Sequence, residues 1–294
     1  RSPVGPAAFL KAEQALRDDP LTAEGAYDAL FYLARGEAPS DYARAEDIWS
    51  RASARAPNLV GGLMRRCEFL LDLGHAQAAL PGCERAAALR PLGAPWGYRY
   101  ARALAATGQA EKADEIIARE VRLHPQQQWI RQTRFQMKAF NGPPAEAQAL
   151  LHDQSQPSAF TMEQSQALDT FLKARASNAP ADADRAAAEL RALVERHVLG
   201  REYLFKALVA LGRLDEAFAT AAPEPADLGS PQGWLFEPGM QAAQRDPRFW
   251  GLAARLGLIR YWRARGVWPD FCREPDLGFD CATRAAQAVR TVAS

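Results

Sequence analysis

Apolar residues in this chain recur at three- and four-residue intervals, in segments broken by glycine, proline and short polar runs. That spacing is helical. It predicts helices over 7–17, 22–35, 41–55, 59–73, 75–89, 94–107 and 109–123. Asp18, Asp19 and Pro20 end the first, because the residue before a proline avoids the helical region. Thr22 is placed to cap the second. A longer period lies over the short one. Gly74, Ala79, Ala86 and Pro91 return 34 residues later as Gly108, Ala113 and Pro125. They return 34 residues earlier as Ser40, Ala45, Ala52 and Pro57. A period of this length marks stacked helical hairpins, each burying its apolar face on the next.

The pattern loosens but continues. Gly142 and Ala147 keep the step, and Pro143 and Pro144 open a short helix that ends near Asp153. Residues 153–160 are predicted as a loop. Helices at 162–176 and 182–195 join through Asn178 and Ala183 after an insertion of two residues. Gly212 and Ala217 then join 199–211 to 213–221.

The turn glycine, the two small contact residues and the closing proline fall where the tetratricopeptide repeat family keeps them. The chain resembles that family closely over 40–125 and loosely over 126–221. Glu120 replaces the second alanine, Ala159 replaces a closing proline, and the family's early tryptophan is missing. The resemblance implies an all-α fold, a right-handed superhelix of about five to six hairpins with a C-terminal helical cap. It also implies that the first helix of each hairpin lines a concave groove. Carried over position by position, that groove holds Tyr27 and Leu30, Met64 and Glu68, Tyr98 and Arg102. Further on come Trp129, Gln132, Gln136 and Phe140, then Glu202 and Lys206. Such a lining suits a protein or peptide partner, or a small polar ligand that stacks on rings and pairs with amides. Trp129 and Phe140 have the alternative of packing on the next hairpin.

From residue 222 the composition changes. Residues 222–238 are a Pro/Gly-rich linker, and 239–294 form an aromatic-rich capping segment, after the array at 1–221. Asp246 and Pro247 start a helix that Gly257 ends. A second helix, 258–265, ends at Gly266, and VWPDFC runs extended toward Cys272. The run 245–272 is similar to the C-terminal ending of CadC-like winged-helix transcriptional regulators. That resemblance implies a sensor domain, with DNA binding and a membrane anchor lying upstream of Arg1, and a periplasmic location. The alternative is a stand-alone scaffold for protein–protein interaction, with no transcriptional role. A chain that opens at Arg1 rather than Met agrees with an upstream part, and homodimerisation is an open option.

Charge and chemistry sharpen this picture. The net charge is +1, with both signs interspersed, so no basic footprint for direct nucleic-acid binding exists. Arg255, Arg260, Arg263 and Arg265 cluster, but as a solvated helix face. No run of about 18 apolar residues is present. The four cysteines form two close pairs, Cys67 with Cys83 and Cys272 with Cys281. Local pairing predicts two disulfides and an oxidising compartment. Cys67 and Cys83 straddle the turn at Gly74, so an antiparallel hairpin sets them opposite each other. Buried thiols in a cytoplasmic core are the alternative. Neither pair has zinc spacing, and no cofactor or metal is expected. His75, His124, His152 and His197 are isolated, and no nucleophile elbow or phosphate loop occurs. Glu68 and Asp72 share a helix face at a spacing open to acid–base work. An exposed acidic pair on a repeat helix is the plainer expectation, so no catalytic residue is assigned and the chain is not expected to be an enzyme.

Overall fold

The turn at Gly74 shows how the repeat is built. Gly74 takes φ +78°, and His75 N–H reaches back to the Leu70 carbonyl at 2.8 Å. A side chain at that φ would cost about 1–2 kcal/mol, which is why glycine recurs there. The same closure recurs at Gly108 and Gly212, where Gln109 N bonds Leu104 O and Arg213 N bonds Leu208 O, each at 2.8 Å.

The structure, a computed structural model, describes residues 6–19, 42–90, 97–221 and 233–293. Its described residues are helices, turns and loops without a strand, so the fold is an all-α array of helical hairpins. They divide into two compact units. The first takes the described residues up to Ala103, with Gly233 and the tail from Pro247 on. The second takes Leu104–Ala221 and Trp234–Asp246. The predicted helix at 22–35 lies outside the described residues.

In the first unit, α1 (Pro6–Asp18) packs on α2 (Tyr42–Arg55), and α2 on α3 (Val60–Asp72). α3 and α4 (Ala76–Leu89) form the tightest hairpin. Ala45, Ala79 and Ala86 are fully buried, because the helices approach too closely there for a larger side chain. Cys67 and Cys83 are bonded across this hairpin, with Cα atoms 5.3 Å apart. Closing a loop of 16 residues in the unfolded chain stabilises the fold by about 3 kcal/mol. α5 (Gly97–Ala106) follows.

The second unit holds α6 (Ala110–Leu123), α7 (Gln128–Asn141), α8 (Pro144–Leu151), α9 (Met162–Ser177), α10 (Pro180–Glu195), α11 (Arg201–Ala210) and α12 (Leu214–Ala221). Consecutive helices pack in pairs from α7 to α12. Ala113, Ala147 and Ala217 are fully buried, as the period requires. The looser repeats depart from the regular closure in physical detail. Gly142 is extended rather than left-handed, so α8 starts directly from Pro143. Asn178 takes the left-handed position at φ 52°, and Ala186 and Ala187 rather than Ala183 are the buried small residues of α10. Glu120 is buried at 4% exposure, with Arg119 at 3.9 Å and His124 at 4.0 Å. α9 starts from a capping box between Thr161 and Gln164.

Past the undescribed residues 222–232, the chain is held, not loose. Two short 3-10 turns, Gly233–Phe236 and Pro238–Met240, lead into α13 (Gln241–Arg245). Trp234 sets its ring against Phe205 at 5.2 Å, and Gln244 donates to the Leu235 carbonyl at 2.8 Å.

The tail returns to the first unit as α14 (Arg248–Arg255), α15 (Leu258–Arg265) and α16 (Cys281–Ala293). The 3-10 turn Asp270–Arg273 replaces the expected extended run, and Cys272 is bonded to Cys281. Trp250 meets Trp262 at 6.0 Å and Phe279 at 6.1 Å, and Phe249 meets Phe271 at 5.5 Å. This cluster docks on α2 and on the α3–α4 turn. Tyr261 Oη bonds Glu46 at 3.1 Å, and Trp262 Nε1 donates to the Leu73 carbonyl at 2.9 Å. Arg265 pairs with Glu46 at 2.8 Å and Asp47 at 2.6 Å. Arg255, Arg260 and Arg263 are exposed, so Arg265 alone leaves the solvated face expected for the cluster.

Asp270 completes the dock. His75, at the start of α4, makes no side-chain cap. Asp270 Oδ2 accepts the Gln77 N–H at 2.8 Å, while its own N–H donates to the Gly74 carbonyl at 2.8 Å. A carboxylate distant in sequence thus caps α4 and meets the positive end of its dipole.

Candidate functional site

The residues expected to line a groove fall into two sets. In the first unit, Tyr27 and Leu30 lie outside the described residues. Met64 has no exposed surface and cannot line a groove. Glu68 is buried, and its Oε2 is gripped by Arg99 Nη2 at 2.7 Å, Arg99 Nε at 3.0 Å and Arg65 Nη1 at 2.9 Å. Tyr98 is half-buried, with the Arg99 guanidinium 4.6 Å above its ring. Burial pushes its phenol up to about 12, against the opposing effect of Arg99 and Arg102.

The acidic pair on α3 is not an exposed face. Asp72 is 1% exposed, and its Oδ1 accepts the Gly233 N–H at 2.9 Å. A Cβ on Gly233 would lie 2.9 Å from that oxygen and 3.1 Å from Arg102 Nη2. Asp72 and Arg102 therefore hold bare backbone. Two guanidiniums neutralise Glu68 and a peptide N–H engages Asp72, which is how two carboxylates come to be buried on one face.

In the second unit, Gln136, Phe140 and Lys206 come together. Lys206 is 1% exposed, its Nζ lies 4.5 Å over the Phe140 ring, and it pairs with Glu237 at 2.8 Å. Gln136 Oε1 accepts from Lys206 at 3.3 Å. Glu202 is half-buried on the same helix as Lys206, and its carboxyl is pushed up chiefly by desolvation. Burial also drives the Tyr203 phenol well above its usual range. Gly239 N–H donates to Asn141 Oδ1 at 2.8 Å, and a Cβ there would lie 2.4 Å from the Phe140 carbonyl. Phe140 and Lys206 are thus covered by the chain's own segment 234–240 and face no solvent. The sequence could not reveal this, because Lys206 and Glu237 are 31 residues apart across a Pro/Gly-rich stretch.

Trp129 and Gln132 remain outside that set. Trp129 is 37% exposed and donates to its neighbour Gln127 at 3.2 Å. Gln132 and Gln128 both donate to the Ala159 carbonyl at 2.8 Å. They pin the loop after α8 against α7, and beside this contact a cavity of about 470 Å³ opens between α7, the end of α8 and residues 152–160. A hint was present in the sequence. α7 carries Arg131, Arg134 and Lys138 and no acidic residue.

Among the described residues no helix is long and apolar enough to cross a membrane, and no cluster of His, Cys, Asp and Glu could hold a metal ion. Both cysteine pairs are bonded, the state that persists in an oxidising, extracytoplasmic environment. No protein-family model matches the chain, and no curated protein matches it.

Proposed function

We propose that this chain is the non-catalytic sensor or interaction domain of a membrane-anchored winged-helix transcriptional regulator, working in the periplasm. The observation that carries the binding part is chemical. In the second unit Asn141 and Lys206 receive a non-α-helical piece of the chain by taking the Gly239 N–H and the Glu237 carboxylate; in the first unit Asp72 takes the Gly233 N–H. A side chain that takes a backbone N–H binds a group that every residue but proline carries, so such contacts could also hold a peptide. A partner segment that offers the same groups would use the same side chains, and exchange with the internal one would carry the signal. The regulator part rests on the similarity of residues 245–272 to such proteins. In that run Tyr261, Trp262, Arg265 and Asp270 clamp the disulfide-bonded hairpin and its neighbour α2.

The coding frame upstream of Arg1 tests the proposal. The expected result is a winged-helix domain followed by one apolar span of about 20 residues. A cleavable signal alone in that place overturns it and leaves the second reading, a free-standing periplasmic scaffold, which the same peptide-accepting chemistry favours. Thiol titration of the unreduced, denatured protein tests the compartment. No free thiol is expected among the four cysteines; four free thiols would overturn the extracytoplasmic placement.

A further inference from the structure

The cavity beside α7 has a built lining. Its volume of about 470 Å³ falls within the roughly 300–1,000 Å³ of small-molecule sites. Val121, Phe135, Leu151 and Phe160 supply an apolar wall, with the two phenylalanine rings edge to face at 4.9 Å. Arg131, Arg134, Gln154 and Ser158 supply a polar one. The loop is held in place before any ligand arrives. Gln128 and Gln132 fix the Ala159 carbonyl, and Ser158 Oγ donates to the Phe160 carbonyl at 2.7 Å.

The charges of this lining are not balanced from within. Arg131 and Arg134 stand one turn apart on one helix face, where like charges repel. Arg131 Nη1 donates to the Pro125 carbonyl, a neutral group, and its buried Nε has no hydrogen-bond partner among the described residues. Arg134 Nε lies 3.6 Å from Asp114, beyond charge-assisted hydrogen-bond length. Lys138 reaches that same carboxylate at 3.4 Å, though its shorter pair is with Glu146 at 2.7 Å. The lining's only carboxylate, Asp153, accepts its own loop's Ser155 N–H at 2.9 Å. His152 is turned to Asp169 at 3.1 Å. Arg134 is thus drawn to Asp114 and, through space, to Asp153, whereas Arg131 meets only a carbonyl and is the less compensated of the two guanidiniums bordering the cavity.

The geometry points to a binding site for a small organic anion: a carboxylate or phosphate borne on an apolar body. The oxyanion pairs with Arg131 and Arg134, whose planar forks match either head group. The apolar body lies on the phenylalanine wall, and Gln154 and Ser158 pair with further polar substituents. This site stands independently of the proposed regulator role, since its residues are not those that hold segment 233–240.

Ligand-observed NMR titration of the whole chain tests it with three probes: benzoate, phenyl phosphate and the neutral benzamide. One of the two anions should bind with a dissociation constant of about 1 mM or tighter, and benzamide about tenfold more weakly or worse. Which anion binds tighter names the head group. The double variant R131Q/R134Q should lose the anion at least about tenfold, with its helical circular dichroism retained. Gln156→Trp, on the exposed loop, should block all three probes without touching the arginines. Equal binding of benzamide and the tighter anion, no binding of either anion, or unchanged anion binding in the double variant would each overturn the assignment.

Discussion

Acid should loosen the first unit through His75. This ring is 4% exposed, sits at the start of α4, and lies 5.9 Å from the Tyr261 ring. Its Nε2 has no hydrogen-bond partner among the described residues. Burial disfavours the charged form and lowers its pKa to about 4; Asp270 opposes the shift and Arg273 adds to it. In the unfolded chain the same group titrates near 6.5. The unfolded state therefore binds a proton at a pH where the folded state does not. The stabilisation is complete above pH 6.5 and is lost as pH falls toward 4. A difference of about 2.5 units corresponds to about 3 kcal/mol, a large part of an ordinary domain's stability. The assay is urea unfolding at a series of pH values from neutral down to 4, for the wild-type chain and for His75→Gln. Carboxylates titrate in both proteins, so the difference in slope isolates the histidine. The variant should be flatter by up to that amount between pH 6.5 and 4. Parallel slopes over that window would refute the claim that His75 is buried neutral at the dock.

Three further outcomes follow from the same contacts. Asp270→Ala should cost about 1–2 kcal/mol through the lost cap of α4, and Asp270→Asn should recover most of it; urea unfolding of the two variants checks the order. Glu237→Gln should destabilise the second unit by about 3 kcal/mol, since it removes the carboxylate that buried Lys206 pairs with and leaves only the through-space pull of Glu202, whereas the double change E237Q/K206M should restore most of that; a double-mutant cycle reads the difference. Gly239→Ala should cost about 1–3 kcal/mol, because its Cβ would collide with the Phe140 backbone, and should hasten limited proteolysis near 233–240; unchanged cleavage would show that the segment is not held there.

Local rules made the hairpins legible. A glycine that must take positive φ, an alanine that must be small and a proline that must end a helix are each demanded by one or two neighbouring turns. Gly74, Ala79 and Pro57 therefore carried their meaning in their spacing. The partnering of Cys67 with Cys83 was legible for the same reason, since both lie within one hairpin. The groove lining was legible only as a list of faces. Met64, Phe140 and Lys206 stand at the right helical positions, yet what covers a face depends on segments far away in the chain. Arg131 and Arg134 lie on a helix that carries no acidic residue, a pattern readable in the sequence, but that they border a cavity depends on where the 152–160 loop lies.

Sequence alone determined the element type, the hairpin period and the cysteine partners, because helix periodicity and turn chemistry act over a few residues. Tertiary structure decided that Asp270 caps α4, that Glu237 neutralises Lys206 and that Asp72 holds the backbone of Gly233. Each of those contacts joins groups 31 to 193 residues apart. Their physical basis is the cost of a buried charge or an uncapped helix end, and any suitable group brought there by the fold could meet it.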